Sequence, residues 1–541
     1  MTSSASHEND ADVDVLIVGA GFAGMYMLHK ARQLGLSARV LEAGAGVGGT
    51  WYFNRYPGAR CDIESIDYSY SFSPELDAEW DWPERYATQP DILRYLEHVA
   101  QRFDLLRDIQ LNTRVKSAAF DETAAIWLIE TDQGQSVRAR FCVMATGCLS
   151  ASRTPQIDGL ETFTGATYHT AHWPHDGVDF SGQNVVVLGT GSSGIQSIPE
   201  IAKQAAQVTV LQRTPNFIMP AWNGPLSSED LAELRRGLVK RRSRARAMMM
   251  GIPFPMRPIN ARAALEVSEA ERLAEYELRW SYGGFGLMAA FNDLLADEEA
   301  NQTSVEFMHG KIRGKVHDPE VAAKLMPTSF PLGAKRLCVD TGYYEAFNRD
   351  NVRLIDLSDQ PLKRIEADGV RVGDELVECD AIVFATGFDA MTGALAAIDI
   401  RGRDGIELKT KWAAGPRTYL GLSIAGFPNL FLVTGPGSPS VLSNMVLSIE
   451  QHVDWIGEAL KAIEEKGATT FEADEAAEGE WVEHVNEVAA RTLYMKAASW
   501  YLGANVEGKP RVFMPYVGGV PNYRAKCSQV VREGYAGFSF G

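Results

Sequence analysis

The segment DVLIVGAGFAGMYMLHKARQLGLSARVLEAG, residues 14 to 44, decides the fold of the N-terminal part of the chain. It predicts a buried strand, a glycine turn, a helix with an apolar face and a second strand that ends in Glu42. Gly19 makes the tight turn, Gly21 lets the backbone approach a pyrophosphate, and Gly24 lets the helix pack closely on the strand. Glu42, eighteen residues after Gly24, can accept hydrogen bonds from a ribose diol. This pattern is typical of a Rossmann-like unit that binds an adenine dinucleotide.

A second unit of the same kind begins at Asn184, in NVVVLGTGSSGIQSIPEIAKQAAQVTVLQRT. Its turn carries Gly189, Gly191 and Gly194. Where the first unit has an acid, this one ends in Gln212, Arg213 and Thr214. An arginine there can clamp a 2′-phosphate through two hydrogen bonds, which favours NADP over NAD, although Arg213 as an ordinary surface residue is the alternative. Together the units predict FAD in the first site, NADPH in the second, and a hydride passing from NADPH to the flavin.

The composition is that of a folded globular protein, since 45% of the 541 residues are apolar and 23% are charged. A net charge of -18 argues against a nucleic-acid surface, which needs a basic face. The basic run KRRSRAR at 240–246 is interpreted as the solvated surface of a helix. The polar, acidic N-terminus lacks the pattern of a signal peptide, and no apolar run has the length of a membrane span. We expect a cytoplasmic monomer with no nucleic-acid or membrane partner.

The six cysteines, at 61, 142, 148, 338, 379 and 527, lie far apart or in strand-like apolar contexts, and no two form a CxxC pair. This spacing argues against a disulfide framework, a zinc site and a dithiol redox centre. We therefore expect free thiols and no metal. A disulfide reductase is excluded, because it needs a redox pair of cysteines.

Two strand-like segments that end in small residues, FCVMATG at 141–147 and AIVFATGFD at 381–389, mark where the chain leaves and re-enters the first unit. The sequence therefore predicts an α/β protein in which a Rossmann-like NADP domain is inserted into a Rossmann-like FAD domain. SEAE at 268–271 is a capping box that opens a helix in a long helical stretch. The predicted boundaries are 11–150 and 386–541 for the FAD domain, 151–225 and 326–385 for the NADP domain, and 226–325 for a helical insertion.

The stretch FTGATYHTAHWP at 163–174 lies between the two glycine turns and has neither the alternation of a strand nor the spacing of a helix. It matches the pattern FxGxxxHxxxWP at Phe163, Gly165, His169, Trp173 and Pro174. A second stretch, GGTWYFNRYPGARCD, carries a glycine-glycine-x-Trp, aromatic-Pro-Gly and Asp pattern, at Gly48, Gly49, Trp51, Tyr56, Pro57, Gly58 and Asp62. With these stretches in order around the second glycine turn, the chain resembles the type I Baeyer-Villiger monooxygenases, such as the phenylacetone, steroid and cyclohexanone monooxygenases. The resemblance runs from about residue 12 to the end of the chain.

The resemblance implies an enzyme that uses FAD, NADPH and O2 to insert one oxygen atom beside a ketone carbonyl, giving an ester or lactone through a C4a-peroxyflavin. It places Gly49 and Trp51 among the cofactor-binding residues. It also places the 163–174 stretch in the linker between the two domains, where His169 is implied to couple the position of the nucleotide to domain movement. A buried histidine bonded to a backbone carbonyl is the alternative.

Catalytic residues follow from the same resemblance. The KR pair in GAKRLCVDTGYYEAFNRDNV, residues 333–352, places Lys335 and Arg336 at the family positions. Arg336 is implied to stabilise the negative peroxide oxygen without giving it a proton, and Asp62 to hold Arg336 by a charge-assisted bond. Lys335 is implied to join Arg213 and Thr214 around the NADP 2′-phosphate. A purely structural ion pair between Asp62 and Arg336 is the alternative.

Two C-terminal loops are implied to enclose the substrate. Trp500 resembles the ring of a mobile lid that binds NADP and excludes water, and a core aromatic is the alternative. The loop GPGSPSVLSNM at 435–445 resembles the pocket loop of family members that accept phenyl ketones or steroids, with Ser440, Val441, Leu442 and Met445 as pocket residues. This predicts bulky aryl or polycyclic ketones as substrates. Cys148, after the first ATG segment, departs from the glutamine or apolar residue expected there.

Two other functions stay open at this point. A flavin-containing monooxygenase that oxidises amines or sulfides has a similar fingerprint, but it lacks the Trp-Pro pair and the Asp62 and Arg336 partners. Trp173 and Arg336 therefore count against it. A nucleotide-binding redox sensor without turnover would leave Asp62 and Arg336 idle, and oxygen-dependent NADPH consumption with a ketone would exclude it.

Overall fold

The computed structural model describes residues 11–253 and 259–541. Its strands are β1 (Val13–Val18), β2 (Ala38–Leu41), β3 (Ile109–Gln110), β4 (Val115–Asp121), β5 (Ile126–Thr131), β6 (Ser136–Met144), β7 (Ala166–His169), β8 (Asn184–Leu188), β9 (Gln207–Gln212), β10 (Ile218–Pro220), β11 (Cys338–Asp340), β12 (Val352–Asp356), β13 (Leu362–Glu366), β14 (Gly369–Val372), β15 (Glu375–Glu378), β16 (Ala381–Phe384), β17 (Asp399–Arg401), β18 (Leu430–Leu432), β19 (Phe471–Ala473) and β20 (Phe538–Phe540).

The helices are α1 (Phe22–Gln33), α2 (Thr50–Phe53), α3 (Pro74–Glu79), α4 (Gln89–Arg102), α5 (Ser192–Ala202), α6 (Ser228–Arg246), α7 (Glu269–Tyr282), α8 (Glu298–Lys315), α9 (Pro319–Leu325), α10 (Tyr343–Ala346), α11 (Gly393–Ala396), α12 (Leu408–Lys411), α13 (Met445–Lys466), α14 (Glu475–Ala490) and α15 (Val520–Arg532).

The first large sheet is built around β1, whose apolar residues are all buried. β1 lies between β2 and β6 and runs parallel to both, so that Leu16 stands opposite Arg39 and Cys142. β3 extends the sheet beyond β2, whereas β5, β4 and β17 extend it beyond β6. The first glycine turn therefore lies at the carboxyl edge of a central parallel strand, which is where open α/β sheets bind ligands.

The second large sheet is entirely parallel, in the order β12, β9, β8, β16, β7. β8 occupies the centre and leads into the second glycine turn and α5. Both sheets thus present a glycine turn and a helix N-terminus at the end of a buried strand. The predicted α/β fold with two Rossmann-like domains is confirmed.

The chain leaves the first sheet after β6 and returns to it after β16, because β17 pairs with β4 and β18 pairs with β6. The two ATG segments occupy equivalent places, since β6 pairs with β1 and β16 pairs with β8. Each segment therefore runs beside the strand that ends in a glycine turn. The residue numbers given above as domain boundaries stay predictions.

The 163–174 stretch departs from its sequence-based interpretation, because residues 166–169 form the edge strand β7. β7 pairs in parallel with β16, with His169 opposite Phe384. Of the four side chains only that of His169 is buried. An edge strand is held by backbone pairing on one side, so it needs no alternation of apolar side chains, and a pattern of alternation does not reveal it.

Helices α6 to α9 lie in the stretch predicted to be helical, and segments outside α-helices, such as 283–297, separate them. The capping box at the start of α7 is confirmed, because Ser268 Oγ accepts from the Glu271 amide at 3.3 Å and the Glu271 carboxylate accepts from the Ser268 amide at 3.1 Å. The interpretation of 240–246 as a solvated surface is wrong for two of its arginines. Arg241 pairs with Asp67 at 2.6 Å and Arg242 donates to Asp77 at 2.7 Å, and their side chains are only 16% and 15% exposed. These arginines dock α6 against the 64–81 segment of the FAD-binding half.

All six cysteines are free and buried. Across residues 11–253 and 259–541, no helix combines the length and apolar character needed to cross a membrane.

Candidate active site

The first glycine turn is fixed by close backbone contacts. Gly19 has a φ of +103°, and a Cβ there would lie 2.7 Å from the Ala145 carbonyl oxygen. A Cβ on Gly24 would lie 1.8 Å from the Gly19 carbonyl oxygen, so only glycine lets α1 approach β1 this closely. Gly21 faces Gly49, where a Cβ would lie 3.0 Å from the Gly21 Cα. Two glycine segments therefore meet face to face and leave a narrow cradle bare of side chains.

Glu42 and Trp51 border this cradle. Glu42 is 4% exposed, and its carboxylate accepts from the amides of Ala20 at 2.6 Å and Gly44 at 2.7 Å. The acid predicted to bind a ribose thus also holds the glycine turn. Trp51 is buried on α2 and donates from Nε1 to the Tyr68 hydroxyl at 3.2 Å.

The second glycine turn repeats the first. Gly189 has a φ of +112°, and a Cβ there would lie 2.5 Å from the Ala385 carbonyl oxygen. A Cβ on Gly194 would lie 2.2 Å from the Gly189 carbonyl oxygen. Open space lies in front of Gly191, because a Cβ at that position would meet no heavy atom of the described residues within 4 Å. The N-terminus of α5 is therefore free to receive a phosphate group.

A pair of basic side chains marks the far end of this second site. Arg213 is exposed after β9, and Thr214 accepts from the Thr190 hydroxyl through its backbone oxygen at 2.9 Å. Burial, together with the nearby Arg213 charge, lowers the pKa of Lys335 to about 8. Its ammonium lies 4.4 Å from the centroid of the Phe330 ring. Neither basic side chain forms a salt bridge within the part of the chain that the structure describes, so two positive charges meet without a counter-anion.

Asp62 and Arg336 form the bidentate pair that the family resemblance implied. Arg336 donates from Nε and Nη2 to the two Asp62 oxygens at 2.7 and 2.8 Å, and from Nη1 to the Val441 carbonyl at 2.6 Å. Burial alone would lower the pKa of Arg336, but the Asp62 charge and hydrogen bonds raise it above its usual value. The guanidinium lies over the Phe285 ring, 5.1 Å from its centroid. The side chain is therefore a fixed, permanent cation.

His169 is buried and satisfied on both ring nitrogens. Nδ1 accepts from the Ala171 amide at 3.1 Å, and Nε2 lies 3.1 Å from the Arg153 carbonyl oxygen, to which it donates as the neutral tautomer. Burial lowers its pKa. The Thr386 hydroxyl also donates to the Arg153 carbonyl, at 3.0 Å. The chain passes from the FAD-binding half to the NADP-binding half near Arg153 and returns near Thr386, and His169 lies where these two crossings meet. Its bond to the Arg153 carbonyl is the one that the alternative interpretation described.

The other fingerprint residues shape the same corner. Trp173 is 3% exposed and packs against Tyr168 and Phe180, with ring centroids 5.5 and 6.1 Å away. A Cβ on Gly165 would lie 2.4 Å from the Asp380 carbonyl oxygen and 2.6 Å from the Phe163 ring. Pro174 is exposed, and its carbonyl accepts from Gly177 at 3.1 Å.

The predicted pocket residues come together in one apolar cluster beside Arg336. Its members include Cys148, Val441, Leu442, Met445, Trp500, Tyr501 and Met514. Ser440 is fully buried with a φ of +38°, and its hydroxyl donates to the Thr434 carbonyl at 3.2 Å. Trp500 is half-buried, with its ring 4.3 Å from that of Tyr501. The structure thus joins segments that are hundreds of residues apart in sequence.

The loop that carries Trp500 is tied to both crossings between the halves. Arg153 donates to the Asn505 carbonyl at 2.5 Å, and Asn505 donates from Nδ2 to the Phe388 carbonyl at 2.7 Å. Lys509 pairs with Asp389 at 2.5 Å. Sequence patterns do not identify these contacts, because Arg153, Asn505 and Lys509 stand in no recognisable motif and Phe388 and Asp389 only end the second ATG segment.

Phe285 is another residue that the sequence analysis missed. Besides lying under Arg336, it lines a surface cleft together with Asp62 and Tyr86. Gly283 and Gly284 precede it with φ values of +71° and +58°. That glycine pair is a local signal of an unusual backbone next to the ring.

These sites fit the two dinucleotides. The cradle between Gly21 and Gly49 would be filled by any Cβ, and a pyrophosphate needs this kind of bare backbone. The uncompensated Lys335 and Arg213 suit the 2′-phosphate of NADP. Within the described ranges, no three His, Cys, Asp or Glu side chains are grouped as a metal site.

Comparison with known proteins gives the same assignment. The sequence profile of a family described as pyridine nucleotide-disulphide oxidoreductase matches residues 16–244. A Baeyer-Villiger monooxygenase of Pseudooceanicola batsensis is 39% identical over 97% of this chain and 96% of its own, and a phenazine N-monooxygenase of Lysobacter antibioticus is 42% identical over the same shares.

Solved structures agree with these relatives. A structure of oxidised steroid monooxygenase bound to NADP is 53% identical, with a TM-score of 0.93 over 98% of this chain and 99% of that one. A structure of OTEMO with FAD and NADP is 39% identical, with a TM-score of 0.94 over 98% and 100%. The resemblance stated from the motifs is therefore confirmed, and the chain belongs to the Baeyer-Villiger monooxygenases, flavoenzymes that depend on FAD and NADPH.

Proposed function

We propose that this monooxygenase inserts one oxygen atom from O2 beside the carbonyl of bulky aryl or polycyclic ketones, giving esters or lactones. The observation that carries the proposal is the contact between Arg336 and the Val441 carbonyl at 2.6 Å, which sets a fixed cation against the apolar cluster of Cys148, Leu442 and Trp500. A charge beside a cluster of apolar side chains suits a large, mostly hydrocarbon ketone with one polar group. The 53% identity to a protein described as steroid monooxygenase supports the same substrate class.

Arg336 and Asp62 are proposed as the catalytic pair. Bound FAD supplies the redox chemistry that activates oxygen. Arg336 uses one N–H each from Nε, Nη1 and Nη2 on Asp62 and Val441 and also bonds the Tyr501 side chain, and the rest of its guanidinium can bond a developing negative oxygen. With its pKa raised by Asp62, Arg336 stabilises that anion without protonating it. An unprotonated oxygen nucleophile attacks carbonyl carbon, so this pair favours ketone oxygenation.

The remaining site residues are proposed to bind the cofactors. Gly21 and Gly49 approach the FAD pyrophosphate in the turn that Gly19 and Gly24 shape, Glu42 binds its ribose, and Trp51 and Asp62 lie at its redox-active end. Gly191 approaches the NADP pyrophosphate in the turn that Gly189 and Gly194 shape, while Arg213, Thr214 and Lys335 surround the 2′-phosphate and Arg336 reaches the nicotinamide end. The glycine geometry and the unpaired basic charges support this division.

His169 and Trp500 are proposed to couple nucleotide binding to closure of the site. His169 bonds at the point where both crossings between the halves meet, and Arg153 continues from there to the loop that carries Trp500. A shift of one half against the other would therefore reach that loop through hydrogen bonds. Closure excludes water from the reacting groups.

Substrate choice is proposed to depend on Ser440, Val441, Leu442 and Met445. Cys148, which stands where a glutamine or apolar residue is expected, is proposed to leave more room for substrate than a glutamine would.

The test of the substrate class is kcat/KM of the FAD-loaded protein in aerated buffer for phenylacetone, a steroid ketone, cyclohexanone and acetone, with products identified by mass. We expect the two bulky ketones to exceed acetone by about tenfold or more, because each extra buried methylene adds about 0.8 kcal/mol. A preference for acetone or cyclohexanone would overturn the proposed substrate class.

A second candidate function is N-oxidation, because the relative with 42% identity is described as a phenazine N-monooxygenase. Phenazine and a thioether would be offered in the same assay. An N-oxide or sulfoxide as the dominant product, with no ester from any ketone, would favour this candidate. The sensor hypothesis loses its basis, since the chain belongs to a family of enzymes.

We also propose a cytoplasmic monomer and the domain boundaries given above. Light scattering of the FAD-loaded protein checks the oligomeric state, with a mass near 59.4 kDa expected for a monomer.

A further inference from the structure

The turn at residues 56–60 belongs to the GGTWYFNRYPGARCD motif but carries none of the roles assigned above. It lies in the FAD-binding half, where the Ala59 carbonyl accepts from Gln89 at 2.8 Å and Arg60 pairs with Glu84 at 3.1 Å. Two residues further along the chain, Asp62 holds Arg336. Any movement of this turn therefore moves the acid that positions the catalytic guanidinium.

Gln196 of the other half holds this turn through three hydrogen bonds. Gln196 lies on α5, two residues after Gly194, and is 8% exposed. Its Oε1 accepts from the Tyr56 hydroxyl at 2.8 Å and from the Arg60 amide at 3.4 Å, and its Nε2 donates to the Arg60 carbonyl at 3.1 Å. The side-chain amide thus bonds both backbone groups of one residue, as a neighbouring strand would. All three of these bonds cross between the halves.

Steric fit strengthens the contact. Gly58 has a φ of +78°, and a Cβ there would lie 2.2 Å from the Gln196 backbone oxygen. Tyr56 packs against the apolar core of the NADP-binding half. Burial is the main reason that the pKa of the Tyr56 hydroxyl is raised to about 12. A hydrogen bond with Ser193 lowers this pKa, and the nearby Asp62 charge raises it. The hydroxyl therefore remains a donor at physiological pH. The turn is therefore seated on the helix by shape as well as by hydrogen bonds.

We propose that Gln196 is a positioning residue that couples the NADP-binding helix α5 to the Asp62–Arg336 pair. α5 receives the nucleotide phosphates at its N-terminus, and Gln196 on the same helix holds the turn that leads to Asp62. The position of a bound nucleotide is therefore linked through Gln196 to the position of the Arg336 guanidinium. The proposal rests on the roles given above to α5, Asp62 and Arg336. It adds that Gln196 acts through the 56–60 turn without touching either reacting group.

Hydrogen exchange of the FAD-loaded protein with and without NADP+ tests this coupling. In the wild type, NADP+ should slow amide exchange at 189–200 and also at 56–62. In Gln196→Ala, protection should remain at 189–200 and be lost at 56–62, while the Kd for NADP+ changes by less than about threefold. Hydrogen peroxide released per NADPH with a good ketone should rise roughly tenfold, because small misplacement of a positioning group is costly. Tyr56→Phe removes the hydroxyl that bonds Gln196 and Ser193 but keeps both bonds between Gln196 and the Arg60 backbone, so it should show a smaller change of the same kind.

Asn351→Ala is the matched control. Asn351 also uses an amide to hold α5, donating to the Ala202 and Ala205 carbonyls at 2.9 Å, but at the far end of the helix. It should lower the melting temperature without altering protection at 56–62. Equal loss of protection in Asn351→Ala, unchanged protection in Gln196→Ala, or no protection of 56–62 in the wild type would each overturn the proposal. Failure of the proposed function would show separately, as a wild type that makes no ester.

Discussion

The two glycine turns of this protein share one backbone geometry and differ in what faces them. Gly19 and Gly189 have φ values of +103° and +112°, and each packs against the carbonyl of an ATG segment, Ala145 or Ala385. The same glycine spacing beside the same kind of carbonyl therefore gives the same turn twice. The common geometry explains why both turns suit a dinucleotide.

Their surroundings differ. Gly21 is faced by Gly49, whereas open space lies in front of Gly191. The first turn is completed by the buried acid Glu42, and the second by the exposed base Arg213. An enclosed site with an acid suits a resident FAD, and an open site with unpaired positive charge suits a phosphorylated nucleotide that is exchanged at each turnover.

The largest expected effect comes from adding one methyl group to each turn. Gly24→Ala places a Cβ 1.8 Å from the Gly19 carbonyl, which separates α1 from β1 and costs roughly 4 kcal/mol or more. We expect the purified variant to lack FAD, as measured by flavin absorbance. Gly194→Ala should keep FAD and lose reduction by NADPH. A Gly24→Ala protein with full FAD content and the wild-type melting temperature would contradict the account.

Arg336→Ala should lower ester formation by about 10²–10³-fold, because a preorganised charge is lost where negative charge develops. Arg336→Lys should not restore activity, since lysine cannot bind Asp62 through two parallel bonds. FAD content should stay at the wild-type level. The control is Arg353→Ala, which breaks an exposed pair between Arg353 and Glu375, at 2.5 and 2.7 Å, that involves neither Asp62 nor Arg336. Comparable activity loss in the control would argue against a special role for Arg336.

Lys335 makes the affinity for NADPH depend on pH. In the free enzyme its pKa is lowered to about 8, so it is charged below that pH and becomes neutral above it. The KM for NADPH should therefore be flat below pH 8 and rise above it, and Lys335→Met should raise KM by roughly tenfold and remove the pH dependence. Steady-state kinetics at several pH values measure this. A KM that stays constant through pH 8 in the wild type would remove Lys335 from the phosphate site.

The smallest expected effect concerns His169. His169→Ala removes hydrogen bonds to Arg153 and Ala171 and should raise uncoupled peroxide release by about threefold to tenfold. Because burial lowers the pKa of His169, the wild-type coupling should not change between pH 6.5 and 8. Peroxide yield per NADPH across this range checks the point, and a step near pH 6.5 would show that the histidine titrates.

The sequence predicted both glycine turns and the alternation of strands and helices because these requirements are local. Asp62 and Arg336 are 274 residues apart, and only the family resemblance brought them together. The pairing of Arg241 with Asp67 was missed for the same reason, since a charge run does not reveal a partner that is 174 residues away. Gln196 and Phe285 were missed because their partners are a backbone turn and a guanidinium, which leave no pattern in sequence.

The most direct test is an isotope-labelling experiment in which FAD-loaded protein, NADPH and phenylacetone or a steroid ketone react under O2 labelled with a heavy oxygen isotope. Mass spectrometry then measures how many labelled oxygen atoms the product contains. The account predicts an ester or lactone that carries one heavy oxygen atom, formed in step with NADPH oxidation and nearly abolished in Arg336→Ala. Hydrogen peroxide as the only oxygen product with every ketone offered, together with NADPH consumption that Arg336→Ala leaves unchanged, would contradict it.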